Sequence, residues 1–495
     1  MAIRVPPKLI ITLPYTVRFM KPSPTLLTTV LPLSLAENII KKPVTPKSDD
    51  HYDQLLDLND TNKLFSSVST TKLFRSLINL NMASFEPLVD FGIWIMKSSL
   101  METMIIRDVI LKTVKHTFYE HFCAGENLNE ARRTLQALWD DGLKGILDYG
   151  LEDAVNNESC DRNLNEFLKT VESTKLLPQS SVSYACVKIT AICPISLLNR
   201  VSNLLRWEKK DPSFNLPWKV HTLPIFSKSS PFYHTLKRPD PLTPQEQNDL
   251  EKAHQRLIKL SEKCFVMDLP LLVDAEYTMV QPAIDYFTYS AMLRFNKNGK
   301  AIVYGTVQAY LRDSKERVIQ AAEAAEKMGV TIGFKLVRGA YLSTETKVAS
   351  SLGYASPIHG SIEETHACYD ECASFMLEKV HKGTGAVCLA THNLESGRGA
   401  ATKARALGIG KGDDQLQFAQ LKGMAEGLSF GLRNAGFQVS KYLPYGPVDM
   451  VIPYLLRRAE ENRGMLSAST LDRQLMRKEI KRRLTDRGEG FETRH

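Results

Sequence analysis

The chain has 495 residues, of which 43% are hydrophobic and 24% are charged, and its formal net charge is +8 at pH 7. This composition allows a sizeable buried core and excludes a fibrous or intrinsically disordered protein. Residues 1–48 hold seven basic residues and one acid, so the remainder carries only +2 and gives little support to a nucleic-acid role.

The first 48 residues are rich in Thr, Ser, Pro and basic side chains, and this pattern is typical of an organelle transit peptide. A disordered basic arm without a targeting role is the alternative. Residues 49–142 show a helical pattern, in which Leu73, Leu77 and Leu80 keep the helical period. No stretch reaches the 18 or more apolar residues that a membrane-spanning helix needs, so we expect a soluble or peripheral protein.

From residue 143 onward, short apolar runs alternate with helical stretches of a dozen or more residues. Eight such strand–helix pairs favour a closed (βα)8 barrel, an α/β fold of the TIM-barrel type, over a doubly wound sheet. We assign the barrel to residues 143–466, with a basic tail at 467–495 and an exposed, Pro- and Ser-rich loop at 207–242. The predicted strands are 143–151, 182–192, 270–276, 301–311, 331–341, 386–393, 416–422 and 440–445.

Capping patterns predict where three of the barrel helices begin. Thr243-Pro244-Gln245-Glu246 combines a capping residue, a proline at the first helical position and a glutamate three residues on. Asp313 and Ser361 are expected to cap two later helices in the same way.

Eight cysteines are spread over the chain without a CxxC pair. In a chain of this length, such spacing predicts reduced and mostly buried thiols rather than a disulfide framework. His366, Cys368 and Cys372 could form a metal site, but we predict no metal.

Active sites of such barrels lie at the C-terminal ends of the strands. Any one polar residue there is more often a capping or solvated residue, but here all eight predicted strands end in polar side chains. Together they describe a largely cationic mouth that suits an anionic ligand. The residues are Glu152, Lys188, Asp274, Glu276, Gln308, Lys335, Arg338, Tyr341, Thr391, His392, Asn393, Gln420, Lys422 and Tyr442.

The helix after the last strand carries two consecutive arginines, Arg457 and Arg458, with Glu461 one turn further on. Consecutive helical residues point about 100° apart, so the pair can approach one carboxylate from two sides. A solvated helix face with an Arg–Glu pair is the simpler interpretation of this segment alone.

The strand ends, taken as a set and in this order, resemble the proline dehydrogenase (proline oxidase) family over about residues 143–466. The N-terminal extension and the long 195–260 insertion are similar to those of eukaryotic, plant-type members. The motifs are Val273-Asp274-Ala275-Glu276, Val307-Gln308-Ala309-Tyr310, Lys335-Leu336-Val337-Arg338-Gly339-Ala340-Tyr341, Ala390-Thr391-His392-Asn393, Tyr442-Leu443-Pro444-Tyr445-Gly446 and Leu456-Arg457-Arg458-Ala459-Glu460-Glu461-Asn462.

The resemblance implies a distorted (βα)8 barrel that binds FAD at the strand ends, with L-proline held between the flavin and a final helix over the barrel mouth. Arg457 and Arg458 would hold the substrate carboxylate, and Glu152 would pair with Arg457 as a gate when substrate is absent. The remaining substrate-side residues that the resemblance implies are Lys188, Asp274, Tyr341, Leu421, Tyr442, Tyr454 and Glu461.

Within this resemblance, Asp274 would orient the cations, and Tyr454 would influence whether hydroxyproline is accepted. At the position of Lys335 the family's bacterial members carry arginine, so here the positive charge is kept and the guanidinium fork is lost. The residues that fall where the family binds FAD are Gln308, Lys335, Arg338, Thr391, His392, Asn393 and Gln420.

The family further implies oxidation of proline to 1-pyrroline-5-carboxylate, electron transfer to a quinone, and peripheral contact with the matrix side of the mitochondrial inner membrane. Two rivals stay open on the sequence. One is a phosphate-binding or Schiff-base barrel lyase or aldolase that uses Lys188 or Lys335. The other is a non-enzymatic membrane-surface protein built on the basic tail.

Overall fold

The computed structural model describes residues 55–410, 412–464 and 466–492, except for the side chains of residues 97, 459–464, 466–468 and 487–492. The predicted transit segment 1–48 and the side chain of Glu461 lie outside these descriptions. No helix in the described part of the chain is both long and apolar enough to cross a membrane.

The described residues form a closed barrel of eight parallel strands in sequential order, which confirms the predicted (βα)8 fold. The strands are largely unbroken apolar runs because their two faces are covered by the barrel interior and by the surrounding helices. They are β1 (Lys144–Tyr149), β2 (Val182–Val187), β3 (Leu271–Val273), β4 (Val303–Gln308), β5 (Ile332–Val337), β6 (Gly385–Ala390), β7 (Leu416–Leu421) and β8 (Val439–Tyr445).

Helices precede the barrel, alternate with its strands and follow it. Those before β1 are α1 (Thr61–Leu64), α2 (Thr70–Ala83), α3 (Glu86–Lys97), α4 (Met104–Val114), α5 (Glu120–Phe122) and α6 (Leu128–Asp140). Those within the barrel are α7 (Asn157–Ser173), α8 (Ile189–Ile192), α9 (Ile195–Lys210), α10 (Pro244–Val266), α11 (Gln281–Phe295), α12 (Ser314–Lys327), α13 (Leu342–Ser351), α14 (Ile362–His381), α15 (Leu394–Ala406) and α16 (Glu426–Asn434). The chain continues through α17 (Val448–Gly464) and α18 (Leu466–Glu492).

Two of the three predicted helix caps are present. The Thr243 side chain accepts from the backbone N–H of Glu246, whose carboxylate accepts in return from the N–H of Thr243, so this capping box starts α10. Ser361 caps α14. Asp313 was wrongly expected to cap α12, because its carboxylate instead accepts from Ser230 at 2.6 Å and pairs with Arg317 at 3.2 Å.

The segment between α9 and α10 is the predicted loop, but it is not simply exposed. Helix α9 continues to Lys210, and the loop buries several apolar anchors, among them Phe214, Leu223 and Tyr233. Such anchors escape a pattern search because they follow neither a helical nor a strand period.

The basic tail is a packed helix. Arg483 of α18 donates to the carbonyls of Phe65 and Val68, at 2.8 and 2.7 Å, and also pairs with Glu479. The buried carboxylate of Asp472 accepts from the N–H groups of Glu426 and Gly427, both at 2.9 Å, and so caps α16 from another helix. The guanidinium of Arg483 is therefore bonded within the protein.

All eight cysteines lie in the described part of the chain, are buried and form no disulfide, as predicted. Inside the barrel, Tyr184 and Tyr304 meet edge to face at 5.2 Å between ring centroids, and they pack in one cluster with Ile146, Leu272 and several alanine and cysteine side chains. The interior is thus a packed core, and the strand ends beyond it are left for a site.

Candidate active site

Asp274, which follows β3, is the centre of the polar cluster at the C-terminal ends of the strands. Its carboxylate contacts Nζ of Lys335 from β5, accepts from the hydroxyl of Tyr442 on β8 at 2.8 Å, and lies 3.6 Å from Nζ of Lys188 after β2. Burial alone would raise the pKa of this carboxyl, but the two lysines outweigh it and hold the pKa below its usual range. Asp274 is therefore an anion between cations.

Asp148 is a second buried carboxylate in this cluster that sequence analysis missed. It lies inside β1, and its Oδ2 accepts from Nζ of Lys188 at 3.3 Å. Burial raises the pKa of Asp148, whereas the two carboxylates keep the pKa of Lys188 above its ordinary value despite burial. The available signal was a charged residue within an otherwise apolar strand, which must have a partner if it is buried.

The carboxylates of Asp148 and Asp274 and the thiol of Cys186 lie within 4.8 Å of one another, a spacing that a metal ion could use. Both carboxylates, however, are already neutralised by Lys188 and Lys335. The chemistry of the donor set therefore favours an ion-pair cluster over a cation site.

Arg457 closes a cleft of about 450 Å³ at the barrel mouth. Its two terminal nitrogens donate to the two carboxylate oxygens of Glu152, at 3.2 and 3.4 Å. Burial would lower the pKa of Arg457, but Glu152 and Tyr341 raise it, so the guanidinium stays charged. The cleft is lined by Glu152, Glu276, Tyr277, Tyr341, Pro453 and Arg457.

The neighbouring Arg458 is buried, and its guanidinium lies over the ring of Tyr454 at 5.1 Å. Among the contacts described, Arg457 pairs with Glu152 and Arg458 lies over Tyr454. Tyr454 and Leu421 pack in one apolar cluster with Val451. This cluster anchors α17, the arginine helix, to the end of β7.

Glu276 was noted as a strand-end residue, but its environment could not be read from the sequence. The buried side chain accepts from the hydroxyl of Thr190 at 3.0 Å and borders the cleft beside Arg457. Burial raises the pKa of Glu276 to about 8, so an appreciable fraction is protonated at neutral pH.

On the other side of the mouth, Arg338 organises a second polar network. Its guanidinium donates to Thr391 Oγ1 at 2.7 Å, Ser396 Oγ at 2.8 Å and His366 Nδ1 at 2.9 Å, and it stacks on Tyr369 at 4.5 Å. Sequence analysis proposed Arg338 and Thr391, but it missed the three partners contributed by helices α14 and α15.

His392 and Asn393 have defined structural partners in the same region. Nε2 of His392 accepts from the backbone N–H of Leu421 at 3.1 Å, and burial lowers the pKa of this imidazole to about 3. Asn393 caps α15 by accepting from the N–H of Ser396 at 2.9 Å. A neutral imidazole and an oriented amide are thus fixed next to the Arg338 network.

Two glutamines complete this side. Gln308 donates to the carbonyl of Glu276 at 2.8 Å, and Gln420 accepts from the hydroxyl of Ser429 at 2.9 Å. Among the described residues, the buried Nε2 of Gln420 has no hydrogen-bond partner. Such a donor is costly unless another group accepts from it.

A family model described as proline dehydrogenase matches residues 131–470, more than two thirds of the chain. The chain is 54% identical to proline dehydrogenase 2, mitochondrial, of Arabidopsis thaliana over 87% of its own length and 91% of that protein. It is 51% identical to proline dehydrogenase 1, mitochondrial, of the same plant over 94% of each. This chain belongs to the proline dehydrogenase family.

Membership of the proline dehydrogenase family extends to more distant relatives. The chain is 31% identical to a hydroxyproline dehydrogenase of Bos taurus over 86% of its length and 93% of that protein. The fold is similar to proline utilization A from Bdellovibrio bacteriovorus, with a TM-score of 0.57 and 22% identity over 72% of this chain. The chain spans only 34% of that structure's length, and this likeness concerns the fold alone.

In this proline dehydrogenase family member, Glu152, Tyr341 and Arg457 line the cleft as predicted site residues. Lys422, predicted as part of the cationic mouth, instead donates to the backbone carbonyls of Glu120 and His121, and the side chain of Glu461 is not described. Lys188, Asp274 and Tyr442 are connected by an ion pair and a hydrogen bond, and Arg457 pairs separately with Glu152 at the same mouth. Lys335 contacts Asp274 and lies 5.2 Å from the ring of Tyr442.

Proposed function

We propose that this chain oxidises L-proline to 1-pyrroline-5-carboxylate with a bound FAD and passes the electrons to a quinone. The observation that carries the proposal is the Arg457–Glu152 pair, which closes a cleft near the Asp274–Lys188–Lys335–Tyr442 cluster in a proline dehydrogenase barrel. Two-pronged guanidinium groups bind carboxylates through parallel hydrogen bonds, which suits the carboxylate of an amino acid.

The substrate carboxylate would replace that of Glu152 on Arg457, and Arg458 would add a second fork from the same helix. Lys188 contributes a fixed positive charge nearby because its raised pKa keeps it protonated. Tyr341, which lines the cleft, and Tyr442, which is bonded to Asp274, offer ring faces, and Leu421 adds an apolar surface. These residues would orient the proline ring so that the carbon next to nitrogen faces the oxidant.

The residues on the Arg338 side fit FAD. The unpaired Nε2 of Gln420 offers a donor, Arg338 offers positive charge, and His392 and Asn393 are held in place by their own partners. Gln308, Lys335 and Thr391 would complete this side of the pocket. The chemistry that FAD supplies when bound is acceptance of the hydride from the ring carbon next to nitrogen.

The cations also act on the substrate amine, which must lose its proton before hydride can leave. Lys188, Lys335 and Arg457 disfavour a fourth positive charge near them, so they lower the pKa of the bound amine. Lys335 would in addition stabilise negative charge that develops on the cofactor side.

A Schiff-base role for the lysines is not favoured by this arrangement. Such a lysine must be a neutral amine at working pH, which requires a depressed pKa. Lys188 and Lys335 are both paired with carboxylates, and the pKa of each is raised. A buried, charged lysine is a poor nucleophile.

Import into mitochondria fits the basic segment 1–48, and the named Arabidopsis relatives are mitochondrial proteins. We place the chain on the matrix side of the inner membrane, where a quinone is available. Deletion of residues 1–48 should abolish import, and unchanged import would show that the signal lies elsewhere.

The decisive experiment is absorbance spectroscopy of the purified full chain. We expect a yellow protein with non-covalently bound FAD that bleaches when L-proline is added under anaerobic conditions. Protein that is folded but colourless, and that takes up no added FAD, would refute the cofactor assignment. Flavin that is not reduced by proline would refute the substrate assignment.

A further inference from the structure

Large apolar side chains are unusually exposed on α3, the turn at Ser99–Glu102, and α4. Trp94 keeps 58% of its surface exposed, Ile105 76% and Val109 62%. Soluble surfaces rarely expose many large apolar groups together, and such patches mark interaction sites. We define the apolar shoulder as Phe85, Phe91, Trp94, Leu100, Met104, Ile105, Ile106 and Val109.

The opposite face of these helices is already occupied. Leu111 and Val114 of α4 pack in the cluster that contains Val451 and Tyr454 of the arginine helix α17. Arg107 also pairs with Asp449 of α17 at 3.2 Å. The apolar shoulder is therefore the outer face of helices whose inner face packs against α17. Folding of the barrel does not require apolar side chains on this outer face.

The charge and composition of the shoulder favour a lipid surface over a charged partner. Residues 85–115 carry four acidic and four basic residues, so electrostatic attraction is not the main contribution. Phe91 and Trp94 stack at 5.9 Å between ring centroids, and aromatic rings of this kind are favoured at the lipid headgroup level. Helices α3 and α4 have 12 and 11 residues, too short to span a bilayer but long enough to lie in its interface.

We propose that the apolar shoulder inserts into the surface of a lipid bilayer and so places the barrel mouth, through α17, next to the membrane. This inference rests on the proposed function, in which a lipid-soluble quinone must reach the site. It also assigns membrane contact to hydrophobic insertion rather than to the basic tail, whose Arg483 and Lys478 are bonded to Phe65, Val68 and Asn59 within the protein.

The test is flotation of the full chain with vesicles of pure phosphatidylcholine, which carry no net charge. The test variant is Trp94→Gln with Ile105→Gln and Val109→Gln. The matched control is Phe265→Gln with Val266→Gln, because these side chains are 55% and 74% exposed at the end of α10, which leads into the opposite end of the barrel. Thermal unfolding and proline reduction of a water-soluble dye monitor folding and chemistry independently of lipid.

We expect the wild-type chain and the control to float. The test variant should bind vesicles at least about 30-fold more weakly, because it lacks three apolar side chains that the wild type would bury in the lipid. Dye reduction should be the same for all three proteins, while reduction of a quinone dissolved in the vesicles should fall only in the test variant. Loss of dye reduction in the wild type would instead indicate that the proposed function has failed.

Three results with vesicles would overturn the inference. The first is a wild-type chain that does not bind neutral vesicles, and the second is a test variant that binds them equally well. The third is binding that requires anionic lipid and is released by high salt, which would indicate charge attraction. A dimer in analytical ultracentrifugation that dissociates in the test variant, without vesicle binding by the wild type, would assign the shoulder to a second copy and would equally overturn it.

Discussion

Arg457 and Glu152 face each other across the barrel mouth with two parallel hydrogen bonds of 3.2 and 3.4 Å. Glu152 follows β1 and Arg457 lies in α17, so this pair joins the first strand of the barrel to the helix after the last one. Because the same guanidinium is our proposed carboxylate ligand, the pair competes with substrate, and this competition can be measured.

Replacing Arg457 or Arg458 with methionine should mainly raise KM for proline. Truncating one partner of a charged hydrogen-bonded pair costs roughly 2–5 kcal/mol, or about 30- to several-thousand-fold. Flavin content should stay near that of the wild type, because the residues proposed for FAD lie on other strands. Lysine at either position should restore only part of the loss, since the charge returns without the fork.

Steady-state kinetics with flavin quantified in the same samples would check this. A solvated helix face predicts little kinetic change and at most about 1 kcal/mol of lost stability. Normal kinetics in both methionine variants would show that the carboxylate is bound elsewhere.

Glu152→Gln should have the opposite effect on KM for proline. Without its anionic competitor, Arg457 is free to bind the substrate carboxylate, so KM should fall by up to about fivefold, the value of a partly exposed ion pair of at most 1 kcal/mol. Asp153→Asn, next to it in the same cleft, is the control and should leave KM near the wild-type value. A rise in KM for Glu152→Gln would mean that Glu152 assists substrate binding rather than competing with it.

Asp274→Asn should be strongly destabilising. The substitution leaves the buried Lys335 without its carboxylate partner and removes one of the two carboxylate partners of Lys188. Breaking a buried ion pair costs roughly 3–5 kcal/mol of folding stability. Tyr442→Phe removes only one hydrogen bond to the same carboxylate and should cost about 1–2 kcal/mol. Urea unfolding at pH 7 would rank the two variants, and equal losses would contradict a central role for the charge of Asp274.

The raised pKa of Glu276 predicts a pH dependence of stability. The folded protein binds this proton up to about pH 8, whereas an unfolded glutamate releases it near pH 4.5. The folded state therefore binds more protons between these values, and its stability should fall as the pH rises from about 4.5 to 8. Because glutamine does not titrate, Glu276→Gln should reduce this pH-dependent loss of unfolding free energy by roughly 1–4 kcal/mol.

Urea midpoints of the wild type and of Glu276→Gln, measured at pH 5 and pH 8, would test this. The two proteins should differ more at pH 8 than at pH 5, with the variant the more stable at the higher pH. Parallel pH profiles would show that Glu276 is ionised in the folded protein at neutral pH.

Asp472→Ala should loosen the C-terminal helix. It removes the carboxylate that accepts from the N–H groups of Glu426 and Gly427 at the start of α16, where Ala425 provides no side-chain cap. Two unsatisfied amides and a lost cap cost about 1–3 kcal/mol. Asp486→Ala, which breaks only an exposed pair with Arg482 in the same helix, should change stability by under about 0.5 kcal/mol. Thermal unfolding would compare them, and equal effects would refute the cap.

The barrel strands could be predicted because each is a short apolar run followed by a helix, and this alternation is a local property of the sequence. The polar residues at the strand ends could be predicted to converge because the strands of such a barrel end on one face, whereas their substrate and cofactor roles were implied only by the family resemblance. Asp148 was missed because it lies within β1, and Ser396, His366 and Tyr369 were missed because their role depends on where Arg338 reaches. The capping of α16 by Asp472 joins residues 45 positions apart and has no local signature.

The pairing of β1 with β8 has a consequence for how the chain is made. Lys144 is in register with Ser440, so barrel closure joins residues nearly 300 positions apart. A chain synthesised only as far as β7 still has two unpaired strand edges, at β1 and β7, which are prone to pair with other chains. Closure must await synthesis of β8, and contacts between such distant residues form slowly. The nascent chain therefore keeps these two strand edges unpaired until nearly all of it has been synthesised, and unpaired edges favour aggregation during that interval.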